Sequence, residues 1–162
     1  MFDWKKPTVQ MLGRWQPWHD GHQALFKNTW GSNNIGIGEK VLDENTTGNF
    51  NIGIGKEALQ FSKTGYNNIA FGNLSLWSSN NSYDNIGFGN KTLYNLTNEL
   101  SNIAIGTNSG NLITTGDSNI LIGNEANPSA NNTKEEIVIG FKAKGMGDST
   151  VVLGNKDRIQ KT

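Results

Sequence analysis

The amino-acid sequence predicts an all-β protein built as a β-solenoid of 17-residue coils. Two observations support this fold class: a five-residue apolar pattern recurs at a constant spacing, and turn-forming residues are abundant, with 20 Gly and 24 Asn among 162 residues. A repeat this short buries too little apolar surface to fold alone, so its copies must stack on one another. The prediction is therefore one elongated body of stacked coils.

The repeating element is a pentad that reads Asn-Ile-Gly-Ile-Gly at residues 34–38 and again at 51–55. Its leading Ile steps by 17 residues, and a last, shorter step of 14 residues runs from Ile137 to Val151. Seven copies at one spacing are not a chance result of composition, and each copy is predicted to start one coil. The five further copies occupy residues 68–72, 85–89, 102–106, 119–123 and 136–140.

Within each pentad, two large apolar residues flank a small one, as on a β-strand. Ile35 and Ile37 share one face of such a strand, and Gly36 points to the other. We predict that the large residues form the core of the roll. A small residue inside a strand permits close approach of another backbone, so we predict that the small residues pack against a neighbouring chain. The predicted core is Ile35, Ile37, Ile52, Ile54, Ile69, Phe71, Ile86, Phe88, Ile103, Ile105, Ile120, Ile122, Ile137 and Ile139, and the predicted packing stripe is Gly36, Gly53, Ala70, Gly87, Ala104, Leu121 and Val138.

The rest of each coil contains a second apolar position, which is followed by turn residues. Leu42, Leu59, Leu76 and Leu93 share one repeat position and are predicted to lie on a second short strand. Segments such as Asn-Thr-Thr-Gly at 45–48 then return the chain. Stacking also predicts a ladder of Asn side chains that hydrogen-bond along the stacking direction. Its members are Asn34, Asn51, Asn68, Asn85, Asn102 and Asn119.

Charge and composition exclude several classes of function. Lys and Arg number 14, Asp and Glu also number 14, and charged residues make up only 17% of the chain, which argues against a nucleic-acid binder with a basic surface. The absence of Cys excludes disulfides, thiolate metal sites and thiol nucleophiles. No apolar run approaches the ~20 residues of a membrane span, so no membrane insertion is predicted. We predict a non-enzymatic protein with neither a metal nor a cofactor.

The repeat units resemble those of a known family. The sequences NFNIGIGKEALQFSKTG and YNNIAFGNLSLWSSN resemble the head repeats of trimeric autotransporter adhesins (YadA-like heads), and they also resemble repeats in the tail and side fibres of bacteriophages. The closing stretch IVIGFKAKGMGDSTVVLGNKDRIQKT is similar to the end of such a head. The resemblance covers about residues 33–160 and implies a left-handed parallel β-roll with three chains, intertwined or side by side, around one axis. It also implies a stiff extracellular shaft or head used for attachment.

Two biological settings fit this resemblance. The N-terminus lacks a basic-then-apolar signal pattern, and the sequence has no heptad stalk or membrane-anchor barrel, features that bacterial adhesins of this type carry. A bacteriophage fibre subunit needs none of them. We therefore expect a tail or virion fibre subunit involved in host attachment and located on the virion, with the head fragment of a bacterial cell-surface adhesin as the alternative. The expected partners are further copies of the chain in a homotrimer, other virion proteins, and a host-surface glycan or protein.

Three segments are predicted along the chain. Residues 1–32 form an N-terminal docking or anchor segment, residues 33–147 form the 17-residue repeats, and residues 148–162 form the final short coil and exit segment. The first thirty residues hold four of the five Trp, both His and no repeat unit. Exposed aromatic side chains at a terminus are costly unless a virion protein or a neighbouring chain covers them. The candidate docking anchors are Trp4, Trp15, Trp18 and Trp30.

The N-terminal segment carries a second resemblance. The sequence GRWQPWHDGH at residues 13–22 resembles the HxGH motif of nucleotidyltransferases, in which both His contact nucleotide phosphates at a helix N-terminus. The resemblance spans residues 7–27. A complete site of that kind needs a doubly wound parallel sheet, whereas the solenoid repeats begin by residue 33. A nucleotide-binding protein is therefore a third hypothesis, with no catalytic residue assigned and with Gly13, Arg14, His19 and His22 as candidate nucleotide-binding residues.

Two further residue pairs, one aromatic and one acidic, are candidates for function. Trp77 and Tyr94 share one repeat position, and they are candidates either for a sugar-stacking surface or for a cover on the flank of the roll. Glu135 and Glu136 are interpreted as a solvated turn rather than as an acid–base pair.

Overall fold

In the computed structural model, residues 30–155 are described, and they form an all-β solenoid without a helix in that range. Each pentad forms one three-residue strand, and the eight strands lie in parallel and in sequence order in a single sheet. One strand per coil, at a spacing of about 17 residues, confirms the predicted fold class. The strands are β1 (Ile35–Ile37), β2 (Ile52–Ile54), β3 (Ile69–Phe71), β4 (Ile86–Phe88), β5 (Ile103–Ile105), β6 (Ile120–Ile122), β7 (Ile137–Ile139) and β8 (Val151–Leu153).

Neighbouring strands keep a strict register. Ile35 pairs with Ile52 and Ile37 with Ile54, and the same pairing recurs along the sheet. The coils also bond to one another beside the strands. The Ile35 N–H donates to the Asn51 carbonyl at 2.8 Å, and the Gly55 N–H donates to the Ile37 carbonyl at 2.8 Å. Residues at one repeat position therefore form continuous columns along the rod.

The predicted Asn ladder is confirmed, and it lies inside the coils. Asn34 Oδ1 accepts hydrogen bonds from the Asn51 backbone N at 2.9 Å and from Asn51 Nδ2 at 3.2 Å, and Asn51 Nδ2 also donates to the Gly65 carbonyl at 2.8 Å. Because each buried amide has partners, the ladder avoids the cost of unsatisfied polar groups. The same bonds recur at Asn68, Asn85, Asn102 and Asn119.

The prediction of a second strand in each coil is wrong. Leu42 is fully buried, as expected for an apolar position of the repeat, but Lys40 and Leu42 have φ angles of 54° and 52°. Left-handed residues on either side of one ordinary residue make the chain turn instead of extend. The same left-handed pairs recur at Glu57 and Leu59, Leu74 and Leu76, and Lys91 and Leu93, so every one of these coils has a corner where a strand was expected.

The predicted assignment of the two strand faces is inverted in the structure. The middle residue of each strand points into the coil: Gly53 is buried, and a Cβ built on it would lie 2.5 Å from Val41 Cγ1 and 3.6 Å from Leu59 Cδ1. The predicted packing stripe therefore lines the interior of its own chain and does not face a neighbour. The predicted Ile core lies on the outside. The reason is volume, because so short a coil encloses room for a Leu side chain opposite a small strand residue and little more.

In the coil interior, a large residue on the corner side is matched by a small residue on the strand side, or the reverse. Where the strand residue is small, as in β1 to β4, the corner residue is Leu. At β6 the strand residue is Leu121, which is fully buried, and the corner position of the preceding coil is Gly110. A Cβ on Gly110 would lie 2.9 Å from Leu121 Cδ1 and 2.8 Å from Leu93 Cδ2, so Leu121 occupies the space that a Leu at 110 would fill.

Glu136 ends the Asn ladder, and its interpretation as part of a solvated turn is wrong. It has no exposed area, and its backbone N donates to Asn119 Oδ1 at 3.0 Å. Its carboxylate accepts hydrogen bonds from the Gly147 N at 2.7 Å and from the Ser129 N at 2.9 Å. The side chain therefore connects the loop at Ser129, before β7, to the loop at Gly147 in the last, shorter step. Its neighbour Glu135 is exposed, as expected for a turn.

Candidate interaction face

The candidate site is an apolar surface that we call the outer strand face. It consists of the first and third residues of β1 to β8, whose side chains point away from the coil interior. All sixteen positions hold Ile, Phe, Val or Leu, and none holds a charged or polar residue. Because the register is strict, these side chains form two parallel columns that run the length of the described sheet.

The outer strand face is far more exposed than an apolar core. Ile37 is 59% exposed, Phe88 51% and Leu153 70%. The nine members that are exposed alone leave an apolar area on the order of 900 Å², above the few hundred Å² typical of the largest patch on a monomer. Contiguous surfaces of this size mark sites of association. The nine are Ile35, Ile37, Ile69, Phe71, Phe88, Ile105, Ile139, Val151 and Leu153.

Two Phe residues form a ridge on this face. Phe71 and Phe88 are paired across β3 and β4, with ring centroids 4.7 Å apart and ring planes 8° from parallel. Ile54 and Ile105 precede and follow them in the same column. The face is therefore flat along most of its length and bulky at one place, which gives it a shape that can fix the register of an association.

Polar residues border the outer strand face. The column two residues beyond each strand begins with Glu39 and Lys56, whose side chains form an ion pair at 3.1 Å. Asn73 and Asn90 continue that column and are exposed. A desolvated apolar centre with a polar rim is the usual composition of a protein interface. The same column reaches the exposed Phe141 near its C-terminal end, so the border is polar along most of its length but not all of it.

The other sequence-predicted site residues do not gather into a site. Gly13, Arg14, His19 and His22 lie outside the described residues, as do Trp4, Trp15 and Trp18. Trp30 is the first described residue and is 81% exposed. Within residues 30–155, no group of three or more His, Cys, Asp or Glu could hold a metal ion. Over the same residues, no helix is long and apolar enough to cross a bilayer.

Trp77 and Tyr94 stack on each other along the rod. Their ring centroids are 4.9 Å apart with planes 7° from parallel, and Phe61 meets Trp77 edge-on at 4.7 Å. Trp77 Nε1 donates to Gln60 Oε1 at 3.0 Å. The ring faces between Trp77 and Tyr94 are used within the chain and are closed to a ligand. This contact fits a cover on the flank.

Glu99 is a buried carboxylate that holds its own turn. Burial raises the pKa of Glu99 above its ordinary value of 4.5, and the nearby Asp117 charge acts in the same direction. Hydrogen bonds from the backbone N–H groups of Asn98 and Thr97 oppose this rise by stabilising the charged form. The carboxylate is thus engaged by the turn that precedes it.

No protein-family model matches the sequence, and neither a curated protein nor a solved structure matches it. The resemblance to YadA-like heads and phage fibres thus stays an expectation based on the pentads. The outer strand face is what sequence reasoning missed. A signal for it exists in the sequence: the small strand residues Gly36, Gly53, Ala70 and Gly87 are each followed six residues later by a Leu, which indicates where the enclosed volume lies.

Proposed function

We propose that this chain is a non-enzymatic structural subunit of an extracellular fibre, in which copies associate along their length through the outer strand face. The observation that carries the proposal is the uninterrupted apolar surface on a rod of stacked coils. Its two columns run parallel to the stacking direction, so an axis of symmetry along the rod brings the same residues of each copy together. The resemblance to YadA-like heads favours three copies.

The setting we propose is a bacteriophage tail or virion fibre that takes part in host attachment. The resemblance of the pentads to phage fibre repeats supports this setting. In it, the N-terminal segment docks to the particle or to a neighbouring subunit, and the solenoid serves as a stiff spacer or head. A bacterial surface adhesin head is the alternative setting, and it would use the same outer strand face.

The association is tested by placing a charge on the ridge. We expect the unmodified protein to have a trimer mass in light scattering, and Phe88→Glu to have a monomer mass, about one third as large, because burying an unpaired carboxylate in an apolar interface is unfavourable. Asn90→Glu is the matched control. It adds the same charge two residues away on the polar border and should leave the mass unchanged.

Two results would contradict the proposed association. The first is a monomer mass for the unmodified protein at the highest soluble concentration. The second is an equal loss of mass in Phe88→Glu and Asn90→Glu. For the setting, antibodies against the purified rod should decorate the fibres of intact virions in electron micrographs. Decoration of bacterial cell surfaces instead would select the adhesin alternative.

A further inference from the structure

Two tyrosine side chains lie against each other on the surface of the rod. Tyr66 and Tyr83 occupy the same repeat position in successive coils and form a parallel β-bridge. Their ring centroids are 4.3 Å apart, and the ring planes are tilted by 31°. The chain has three Tyr in all, and the third, Tyr94, stacks on Trp77 instead. The stacked register therefore brings together two phenols that are 17 residues apart in the sequence.

Both phenols are held in place and can be reached from solvent. Tyr66 is 43% exposed, and Tyr83 is partly exposed. The Tyr83 hydroxyl donates a hydrogen bond to Asn81 Oδ1, which also accepts one from Thr64 Oγ1 of the preceding coil at 2.7 Å. The Asp84 N–H donates to the Tyr66 carbonyl at 3.1 Å. Hydrogen bonds between the two coils thus align the pair, and its surface stays open to a reagent.

The hydroxyl groups distinguish this pair from the stacked rings on the outer strand face. Phe71 and Phe88 stack between coils without hydroxyl groups, and their ring planes are nearly parallel, at 8°. Stacking between coils therefore needs no hydroxyl. A phenol, unlike a phenyl ring, gives up a hydrogen atom to a one-electron oxidant, and two phenoxyl radicals that are in contact combine with each other.

We propose that Tyr66 and Tyr83 are a site of oxidative cross-linking, at which a one-electron oxidant such as a haem peroxidase with hydrogen peroxide joins them as a dityrosine. Each phenol loses one electron and its hydroxyl proton to give a phenoxyl radical. The radicals combine through the ring carbons next to the hydroxyl-bearing carbons, and the hydrogen on each bonded carbon moves to the oxygen. The net loss of two electrons and two protons reduces one peroxide to two waters.

The cross-link is a covalent clamp between the coils that begin with β2 and β3. It joins residues 17 positions apart, and closing a loop restricts the unfolded chain, as a disulfide does. The oxidised rod therefore unfolds at a higher temperature than the unmodified rod. The proposal does not depend on the proposed function, because the clamp lies within one chain.

The site is tested by treating the folded full-length protein with a haem peroxidase and hydrogen peroxide. We expect dityrosine fluorescence at the mass of a single chain. Trypsin cuts after Lys63 and Lys91, so Tyr66 and Tyr83 lie together in the peptide 64–91, which excludes Tyr94. That peptide should become lighter by two hydrogen atoms, and the melting temperature of the oxidised protein should rise by several degrees.

Two substitutions separate the cross-link from ring stacking. Tyr66→Phe keeps the ring and removes one phenol, so it should fold and melt like the unmodified chain before oxidation. After oxidation it should give no dityrosine and no rise in melting temperature. Tyr94→Phe is the matched control, and it should give the full signal because Tyr94 stacks on Trp77 and not on another Tyr.

Protein unfolded in urea should give a several-fold lower yield of the internal link, since the register that aligns the phenols is lost. The proposal is overturned if peptide 64–91 of the folded protein keeps its unmodified mass, or if Tyr66→Phe yields as much dityrosine as the unmodified chain. Cross-linked chains of doubled mass would also overturn it, because the link would then join two molecules and not two coils. An equal yield from folded and unfolded protein would show that the stacked register plays no part.

Discussion

Ser62 and Ser79 occupy the same repeat position in successive coils and differ in their hydrogen bonding. Both are fully buried, and Ser79 Oγ donates to the Leu76 carbonyl at 2.8 Å. Ser62 Oγ has no hydrogen-bond partner. A buried hydroxyl without a partner costs roughly 1–3 kcal/mol, so we expect Ser62→Ala to raise the free energy of unfolding by about 1 kcal/mol.

Ser79→Ala is the matched control, and it should lower the free energy of unfolding by about 1 kcal/mol because a satisfied hydrogen bond is lost. Thermal or urea unfolding of both variants beside the unmodified chain gives the comparison. If the two substitutions shifted stability in the same direction, hydrogen bonding would not be what distinguishes the two Ser residues.

Single residues also set the limit of what the sequence could predict. The Asn ladder was predictable because one polar residue recurs at one position beside an apolar strand. The left-handed corner at Leu42 was not, since Leu is normally kept out of that region by the clash between its Cβ and the backbone. Here the burial of the Leu side chain offsets the strain. Glu136 was also unpredictable, because its partner Gly147 belongs to the irregular last step and its partner Ser129 lies in a loop seven residues before it.

At the scale of the strand and its corner, the sequence does not show which face of each strand points into the coil. Both faces of each pentad are apolar, so periodicity alone does not say which one is inside. The enclosed volume decides, since the Leu corner already fills the coil and only a small residue fits opposite. The exchange at Gly110 and Leu121 is the clearest sign of this rule, and it can be tested.

We expect Gly110→Leu to destabilise the solenoid by about 1–3 kcal/mol through overpacking against Leu121 and Leu93. Leu121→Ala should cost roughly 2–5 kcal/mol by leaving a cavity. The free energy of unfolding of the double variant should exceed the value expected from adding the two single effects by at least about 1 kcal/mol, because the new Leu fills the cavity. The backbone at Gly110 already has the φ of 67° that a corner residue needs, close to the 48° of Leu93.

A double-mutant cycle by urea unfolding measures this coupling. Leu42→Ala combined with Gly110→Leu supplies the comparison, because Leu42 is also buried and lies four coils away from Gly110. Strict additivity of Gly110→Leu and Leu121→Ala would show that the two positions do not share one volume.

At the scale of the whole molecule, the rod is a one-dimensional stack in which each coil touches only its neighbours. Deleting one full coil, residues 69–85, joins Asn68 to Ile86 and keeps every column in register. We expect this shortened chain to fold, with a melting temperature lowered by only a few degrees. Far-ultraviolet circular dichroism and thermal unfolding provide the measurement.

Deleting only residues 69–76 removes less chain and should do more damage. It takes away β3 and the corner Leu76 and leaves a remnant that completes no coil, so the Asn ladder and the strand columns are interrupted. If the shorter deletion were tolerated better than the full coil, the stacked register would not be the source of stability.

The burial of the Asn ladder also affects how readily its side-chain amides are deamidated. Asn is among the thermolabile residues. The following backbone nitrogen can attack its side-chain carbonyl and expel ammonia, and water then opens the cyclic imide to a carboxylate. In the ladder that nitrogen is already engaged: the Ile52 N–H donates to the Asn68 carbonyl at 2.8 Å, and the Asn51 amide is fixed by its own bonds. The residues Asn80 and Asn132, in contrast, are exposed to water. Over long storage the protein would thus lose amides from its surface first, while its interior stays chemically intact.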